Sequence, residues 1–408
     1  MLDRRRVLMT GGAMVAAAAM GPVGAVAAPT ASDLVITDLV TYRMKDALFV
    51  KLVTDSGVEG WGEFDQGIKT VTDEFVHAVA ASIVLGRDPF DSTPIGYEVF
   101  YKEHDFGPGG VLANTVAGID IALWDLKGKI LGLPCWALLG GRYRDRMPVC
   151  GSIPTDRWQK YGPKEAARRA LPFVERGVGT VKCRMQVRET HLDPTPDRTV
   201  EYVGAFERLL PKDVDVFPDI NNGYSAKRAI RVGMELYDRF GTKYFEEPCS
   251  DQNHAHTAEV ARFVPMHVIS GEKEYTPFQF EELIRYAKPD YINPDVIKAM
   301  GITGLQKVGT LSQVNQRPIT LHNTRPTIST AASLHLAASF PVIGPFMEYP
   351  EEAKFEEQLR DVMVEGPRLQ DGGTLPVPDG PGLGIVLDEE AIRARARDVR
   401  DKNVAEFR

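Results

Sequence analysis

The chain has 408 residues, enough for two or three domains, with 43% hydrophobic and 25% charged side chains. That balance supports a large core and excludes wholesale disorder and a multi-span membrane protein. Lys and Arg number 48 against 56 Asp and Glu, a net charge of −8, which argues against a generalist nucleic-acid binder. The cysteines Cys135, Cys150, Cys183 and Cys249 form no CxxC and no zinc-ligand spacing, so neither a disulfide framework nor a zinc cluster is expected.

Residues 1–28 read as an export signal. Asp3-Arg4-Arg5-Arg6-Val7-Leu8-Met9 leads into a Gly/Ala-rich apolar run that ends at a small-x-small site, Ala25-Val26-Ala27. The Arg-Arg-x-apolar-apolar core resembles a twin-arginine signal, which implies a folded cargo, a periplasmic location and no membrane attachment after cleavage. The alternative is an N-terminal anchor, against which the weak hydrophobicity of the run argues. Losing residues 1–27 removes three Arg and one Asp and takes the net charge from −8 to −10.

Four regions follow from the patterning: the signal over 1–28, an α+β domain over 34–147, a repeating βα region (the barrel candidate) over 148–366 and a tail over 367–408. In the first domain, Phe49–Val53 and Val58–Glu63 flank Asp55-Ser56-Gly57 and read as a hairpin. Ile119, Ala122, Leu123, Leu126 and Ile130 keep helical spacing, and Gly132 is placed as the stop. From residue 148, short apolar strands alternate with amphipathic helices. The strands expected are Val149–Pro154, Gly179–Met185, Val214–Asn221, Tyr244–Pro248, His267–Lys273, Tyr291–Asp295, Ile319–Asn323 and Pro345–Tyr349. Such alternation predicts parallel βα units, closed into a (β/α)8-type barrel or opened as a doubly wound sheet. The Gly/Pro-rich tail is too short to fold alone and is expected to pack back on the first domain.

Nearly every predicted barrel strand ends in an ionisable group. Arg184, Asp219, Glu246, Glu272, Asp295, His322 and Glu348 follow one another at intervals of 35, 27, 26, 23, 27 and 26 residues, the rhythm of one βα repeat. In a barrel these ends meet at one mouth. Asp219, Glu246 and Glu272 would repel one another there unless a cation sat among them, and an all-carboxylate set suits a hard ion such as Mg2+. Asn221, two residues after Asp219, shares its strand face and is expected to hydrogen-bond within the site. Glu247 and Lys273 adjoin proposed ligands and would point to the opposite face of a regular strand, as support residues. Asp295 accepting from one imidazole nitrogen would fix the tautomer of His322 and raise the basicity of the other nitrogen, making a general acid/base. Lys182 would neutralise a substrate carboxylate. Arg184 holds its proton too firmly to be a good base and would orient substrate or stabilise an oxyanion. A protonated Glu348 would donate a hydrogen bond to the substrate carboxylate.

These segments, in this order, resemble the mandelate racemase subgroup of the enolase superfamily. The resemblance rests on Val53–Glu63, Ile119–Lys129, Val181-Lys182-Cys183-Arg184, Asp219-Ile220-Asn221, Phe245-Glu246-Glu247-Pro248, Gly271-Glu272, Pro294-Asp295 with Gly301-Ile302-Thr303-Gly304, His322 and Gly382-Leu383-Gly384-Ile385. It implies an α+β capping domain, completed by the C-terminal tail, over a (β/α)7β TIM-type barrel. It further implies Mg2+ on Asp219, Glu246 and Glu272, a His322–Asp295 dyad, and abstraction of a proton next to a carboxylate. Homo-oligomers are common in the family, and its substrate-selecting loops lie on the capping domain. Here they correspond to Arg43–Asp46, Asp65–Lys69 and His104–Gly107, whose polarity suits a polyhydroxylated acid. One departure matters: the family usually has Lys-x-Lys where this chain has Lys182-Cys183-Arg184. Loss of the second lysine favours dehydration of a sugar acid to a 2-keto-3-deoxy acid. The alternatives are a racemase, epimerase or cycloisomerase on the same scaffold, and a non-catalytic carboxylate-binding protein.

Overall fold

Alternating apolar residues build β1 (Ile36–Arg43), β2 (Leu48–Thr54) and β3 (Glu59–Phe64), an antiparallel meander. A computed structural model describes residues 34–65, 67, 69–155, 161–188, 191–350 and 361–407. The segment read as an export signal lies outside them. Leu39, Leu48, Val50, Leu52 and Phe64 face the capping domain's own core, while Tyr42, Phe49 and Trp61 join the core that runs into the barrel. The sheet is therefore apolar on both faces, one for each half of the molecule.

The first face rests on the helix Val111–Leu131, buried from Leu112 to Gly128. Gly132 ends it in the left-handed conformation, φ +66°, with its amide bonded back to the last turn. Sheet and helix touch backbone to backbone: a Cβ at Gly62 would lie 2.0 Å from the carbonyl oxygen of Gly118. That approach is why the strand reads Gly60-Trp61-Gly62, small toward the helix and aromatic away from it.

The barrel strands are β4 (Arg146–Pro154), β5 (Thr180–Arg184), β6 (Asp215–Asp219), β7 (Tyr244–Glu246), β8 (His267–Ser270), β9 (Tyr291–Ile292) and β10 (Met347–Pro350). They pair in parallel in the order β10-β4-β5-β6-β7-β8-β9. Between β9 and β10 runs an eighth segment held by single parallel bridges, Ile292 to Ile319 and Asp295 to His322. The amide of Glu348 donates to the carbonyl of Leu321 at 3.0 Å and completes the ring. Seven helical connections link the eight, so the sheet curls into a (β/α)7β barrel rather than an open doubly wound sheet.

The expected strands run too long at their C-terminal ends. Asn221 (φ +55°), Glu247 (φ +42°) and Gly271 (φ +132°) turn the chain out of the sheet just after β6, β7 and β8. Residues beyond those turns no longer obey the two-residue alternation of a strand. The tail also departs from expectation at its start. Thr374–Pro376 first pairs with the bottom of β4, and only then do the helix Glu389–Arg395 and the strand Asp398–Asn403 reach the capping domain, where the strand pairs antiparallel with β1.

Candidate active site

Every strand-end group named above arrives at one mouth. Lys182 sits on β5 with its ammonium 2.6 Å from Glu246, 3.0 Å from Glu348 and 3.6 Å from Asp219. Asp219, Glu246 and Glu272 are buried and each offers an oxygen within 4.8 Å of the others. Asn221 clamps Asp219 with its backbone amide at 2.9 Å and its side-chain amide at 2.9 Å. It makes this contact from a left-handed turn rather than from the same face of a strand. Across the mouth, His322 holds Asp295 through Nδ1 at 2.7 Å and meets Glu272 through Nε2 at 2.8 Å. Glu348 stands 3.5 Å from the same Nε2. Arg184 lies with Nε 3.7 Å from Asp219.

Negative charge dominates the cluster. Burial pushes the Glu246 carboxyl up to about 8 against the pull of Lys182, and burial likewise raises Asp219. His322 is raised as well, but toward its charged form: burial opposes that charge, yet Glu272, Glu348 and Asp295 together raise it to about 10. Arg184 is raised too, because Glu348 and Asp219 outweigh its burial. Glu348 does not fit the role of a protonated donor. Burial would favour its neutral form, but Lys182, His322 and Arg184 hold it down to about 2, so it is a carboxylate and not a donor. Lys182, expected to await a substrate carboxylate, is already committed to Glu246 and Glu348.

Glu247 departs from the expected opposite face. The turn at its φ buries it beside Glu272, and burial followed by that neighbour raises its carboxyl well above the usual range. Lys273 is the cation that offsets it. Sequence reasoning missed Asn293, whose amide donates to Glu246 at 3.3 Å, and Lys298, whose ammonium donates to the carbonyl of Glu272 at 3.2 Å. Asn293 lies two residues before Asp295, a spacing that would have flagged it. Of the capping loops, Asp65 bears electrostatically on Lys298, at the mouth. Arg43 instead pairs with Asp398 of the C-terminal strand at 2.8 Å. A cleft of about 140 Å³ lined by Tyr97, Phe100, Met300 and Lys307 lies at the seam between the domains and includes none of the triad or dyad.

The residues fit a hard divalent cation. The donors are oxygens only, three of them buried carboxylates. Among the described residues, the buried Asn221 Oδ1 and Glu247 Oε2 beside them have no hydrogen-bond partner.

Comparison with known proteins agrees with this geometry. The family model for enolase C-terminal domain-like proteins matches residues 164–391. The model for the mandelate racemase/muconate lactonizing enzyme N-terminal domain matches residues 25–140. A D-galactonate dehydratase of Variovorax paradoxus is 28% identical over 372 residues, 90% of this chain and 95% of its own. A D-xylonate dehydratase of Haloferax volcanii is 28% identical over 376 residues, 89% of each chain. A crystal structure of a mandelate racemase/muconate lactonizing protein from Paracoccus denitrificans, complexed with magnesium, superposes with a TM-score of 0.83 at 29% identity, covering 91% of this chain and all of that one. The chain belongs to the enolase superfamily, in its mandelate racemase/muconate lactonizing enzyme subgroup.

Proposed function

We propose that this enzyme dehydrates a sugar acid, an aldonate or aldarate, to a 2-keto-3-deoxy acid. One observation carries the reading: a single imidazole, oriented by Asp295, faces the carboxylate triad, while the opposite wall offers a guanidinium. A racemase needs a base on each face of the carbanion. Arg184 keeps its proton even more firmly than a free arginine, so this wall supplies none. The likeness to dehydratases of galactonate and xylonate supports the same choice.

Mg2+ held by Asp219, Glu246 and Glu272 would supply stabilisation of the negative charge that grows on the substrate carboxylate. The chain's own residues do the rest. His322 Nε2, whose resting proton is held chiefly by Glu272 and would be released as that carboxylate turned to a metal, takes the proton from C2, with Asp295 fixing the ring and stabilising its charge. The C3–O bond then breaks, and the same proton leaves with the hydroxyl as water. The enol tautomerises to the 2-keto acid. Arg184 orients the substrate, and Lys182 holds Glu246 and Glu348 in place around it. The protein is read as exported through its twin-arginine-type segment and as acting in the periplasm, on the strength of residues 1–28.

The test is turnover of a panel of aldonic and aldaric acids with Mg2+, reading keto acid by semicarbazide absorbance and α-proton exchange in D2O by NMR. Keto acid that disappears in His322→Asn is the expected result. Exchange or epimerisation without keto acid would overturn dehydration in favour of an isomerase.

A further inference from the structure

The Asp295 and His322 segments are the least paired in the barrel: β9 spans two residues, and 319–322 is held by single bridges. Each leads into a barrel helix, Gly301–Asn315 after Asp295 and Ile328–Ser339 after His322. Neither helix caps itself, for the side chains of Met300 and Thr327 at the N-cap positions accept no hydrogen bond from its first turn. Ser225 and Thr276 cap the helices that follow them, while Thr199–Leu209 and His254–Phe263 also lack a side-chain cap; the two dyad helices differ in where theirs is supplied. Their caps come from the other domain.

Asp120, on the capping helix Val111–Leu131, accepts from the amide of Thr303 at 2.8 Å and from its hydroxyl at 2.5 Å. Glu63, the last residue but one of β3, accepts from the amide of Ser329 at 3.0 Å and from the hydroxyl of Thr327 at 2.6 Å. Both carboxylates are almost completely buried and sit at the positive ends of their helices, where a negative charge is favoured. Gly301 is required by this arrangement. Its φ is +72°, and a Cβ there would lie 2.5 Å from Asp120 Oδ2.

From Glu63 a buried hydrogen-bond chain leads straight to the catalytic wall. Ser329 Oγ donates to Asn323 Oδ1 at 3.0 Å, and Asn323 is the residue after His322. Asn323 Nδ2 donates in turn to Thr330 at 2.8 Å and to the carbonyl of Glu348 at 3.4 Å.

We propose that Glu63 and Asp120 are positioning residues of the dyad: by capping the two helices that follow Asp295 and His322, the capping domain fixes the geometry of the acid/base pair. Docking of the cap then sets proton transfer as well as enclosing the substrate. The chemical consequence rests on the proposed reaction, but the geometric one does not.

The experiment compares Glu63→Ala and Asp120→Ala with Leu52→Ala, a substitution deep in the cap's own core. Glu63→Gln and Asp120→Asn, which keep an acceptor oxygen, serve as conservative rescues and as substitutes if the alanine variants do not fold. Two readouts are taken: the imidazole nitrogen resonances of His322 in histidine-labelled protein, identified by their loss in His322→Asn, and kcat against KM on whichever acid the enzyme turns over. The expected result is a shifted His322 signal in both alanine variants, with kcat down 10- to 100-fold and KM within threefold, and partial recovery in the conservative pair. Leu52→Ala should lower Tm without moving the His322 signal. His322 resonances unchanged in both alanine variants, or moved equally by Leu52→Ala, would overturn the proposal. The resonance arm decides it even if no tested acid is a substrate.

Discussion

The two walls of the mouth are built differently. On the triad wall, Asp219 and Glu246 end paired strands, Glu272 lies two residues past the end of another, and the clamp on Asp219 comes from two residues away. On the dyad wall, pairing thins to single bridges, and the polar contacts that brace it come from Glu63 and Asp120 in another domain. The walls meet where His322 Nε2 touches Glu272. The triad residues are held by other barrel residues, Lys182, Asn221, Asn293 and Lys298, so that wall should persist when the cap is disturbed, whereas an acid/base wall braced from the other domain should not. The difference teaches that the two halves of one site can have separate mechanical supports.

Separating the walls chemically should give the largest effect. His322→Asn is expected to lower turnover by about 10²–10⁴-fold, the usual worth of a general acid/base. Thermal unfolding with and without Mg2+ should still show metal stabilisation in that variant, since the triad is untouched. The converse, Glu246→Ala, should abolish the stabilisation, which for the wild type is about 2.7 kcal/mol at a hundredfold excess of metal over Kd. Loss of Mg2+ stabilisation in His322→Asn would show that the walls are one unit after all.

Breaking the support instead of the chemistry comes next. Gly62→Ala forces a methyl against the carbonyl of Gly118. It should cost about 3 kcal/mol by urea unfolding, at the upper end of ordinary overpacking. A last effect is a matter of pH. Burial raises Glu63 to about 7, against Arg325 and the bonds from Thr327 and Ser329, with Asp295 adding to the rise. Burial raises Asp120 to about 6, against Lys127 and the bonds from Thr303. A carboxyl raised on folding contributes stability that is complete below its unfolded value and lost as pH climbs through the folded one. Wild-type stability should therefore fall between about pH 4 and 7 relative to Glu63→Gln and Asp120→Asn, measured as Tm across that window. Parallel Tm curves would mean that neither group titrates there.

The triad wall was legible in the sequence because a βα repeat writes strand ends at regular intervals, and Asp219, Glu246 and Glu272 keep that rhythm. Asp295 and His322 keep it as well. The support of the dyad was not legible. Glu63 lies 266 residues from Ser329, and nothing in local spacing announces a cap supplied from so far away. Glu247 was misplaced for a different reason. Strand alternation was extended past the turn that its positive φ imposes, so a residue expected to face outward is buried beside Glu272. Glu348 was misjudged because its charge state depends on Lys182, His322 and Arg184, neighbours that only the closed barrel assembles.

The strand Asp398–Asn403 fills the edge of the capping sheet beside β1, and Asn403 contacts Asp38 across 365 residues of chain. During synthesis β1 emerges some 365 residues before its pairing partner. Until then its edge is an open template for other chains. The sheet therefore closes by one of the longest-range contacts among the described residues, the kind of pairing that costs loop entropy before its contacts stabilise it.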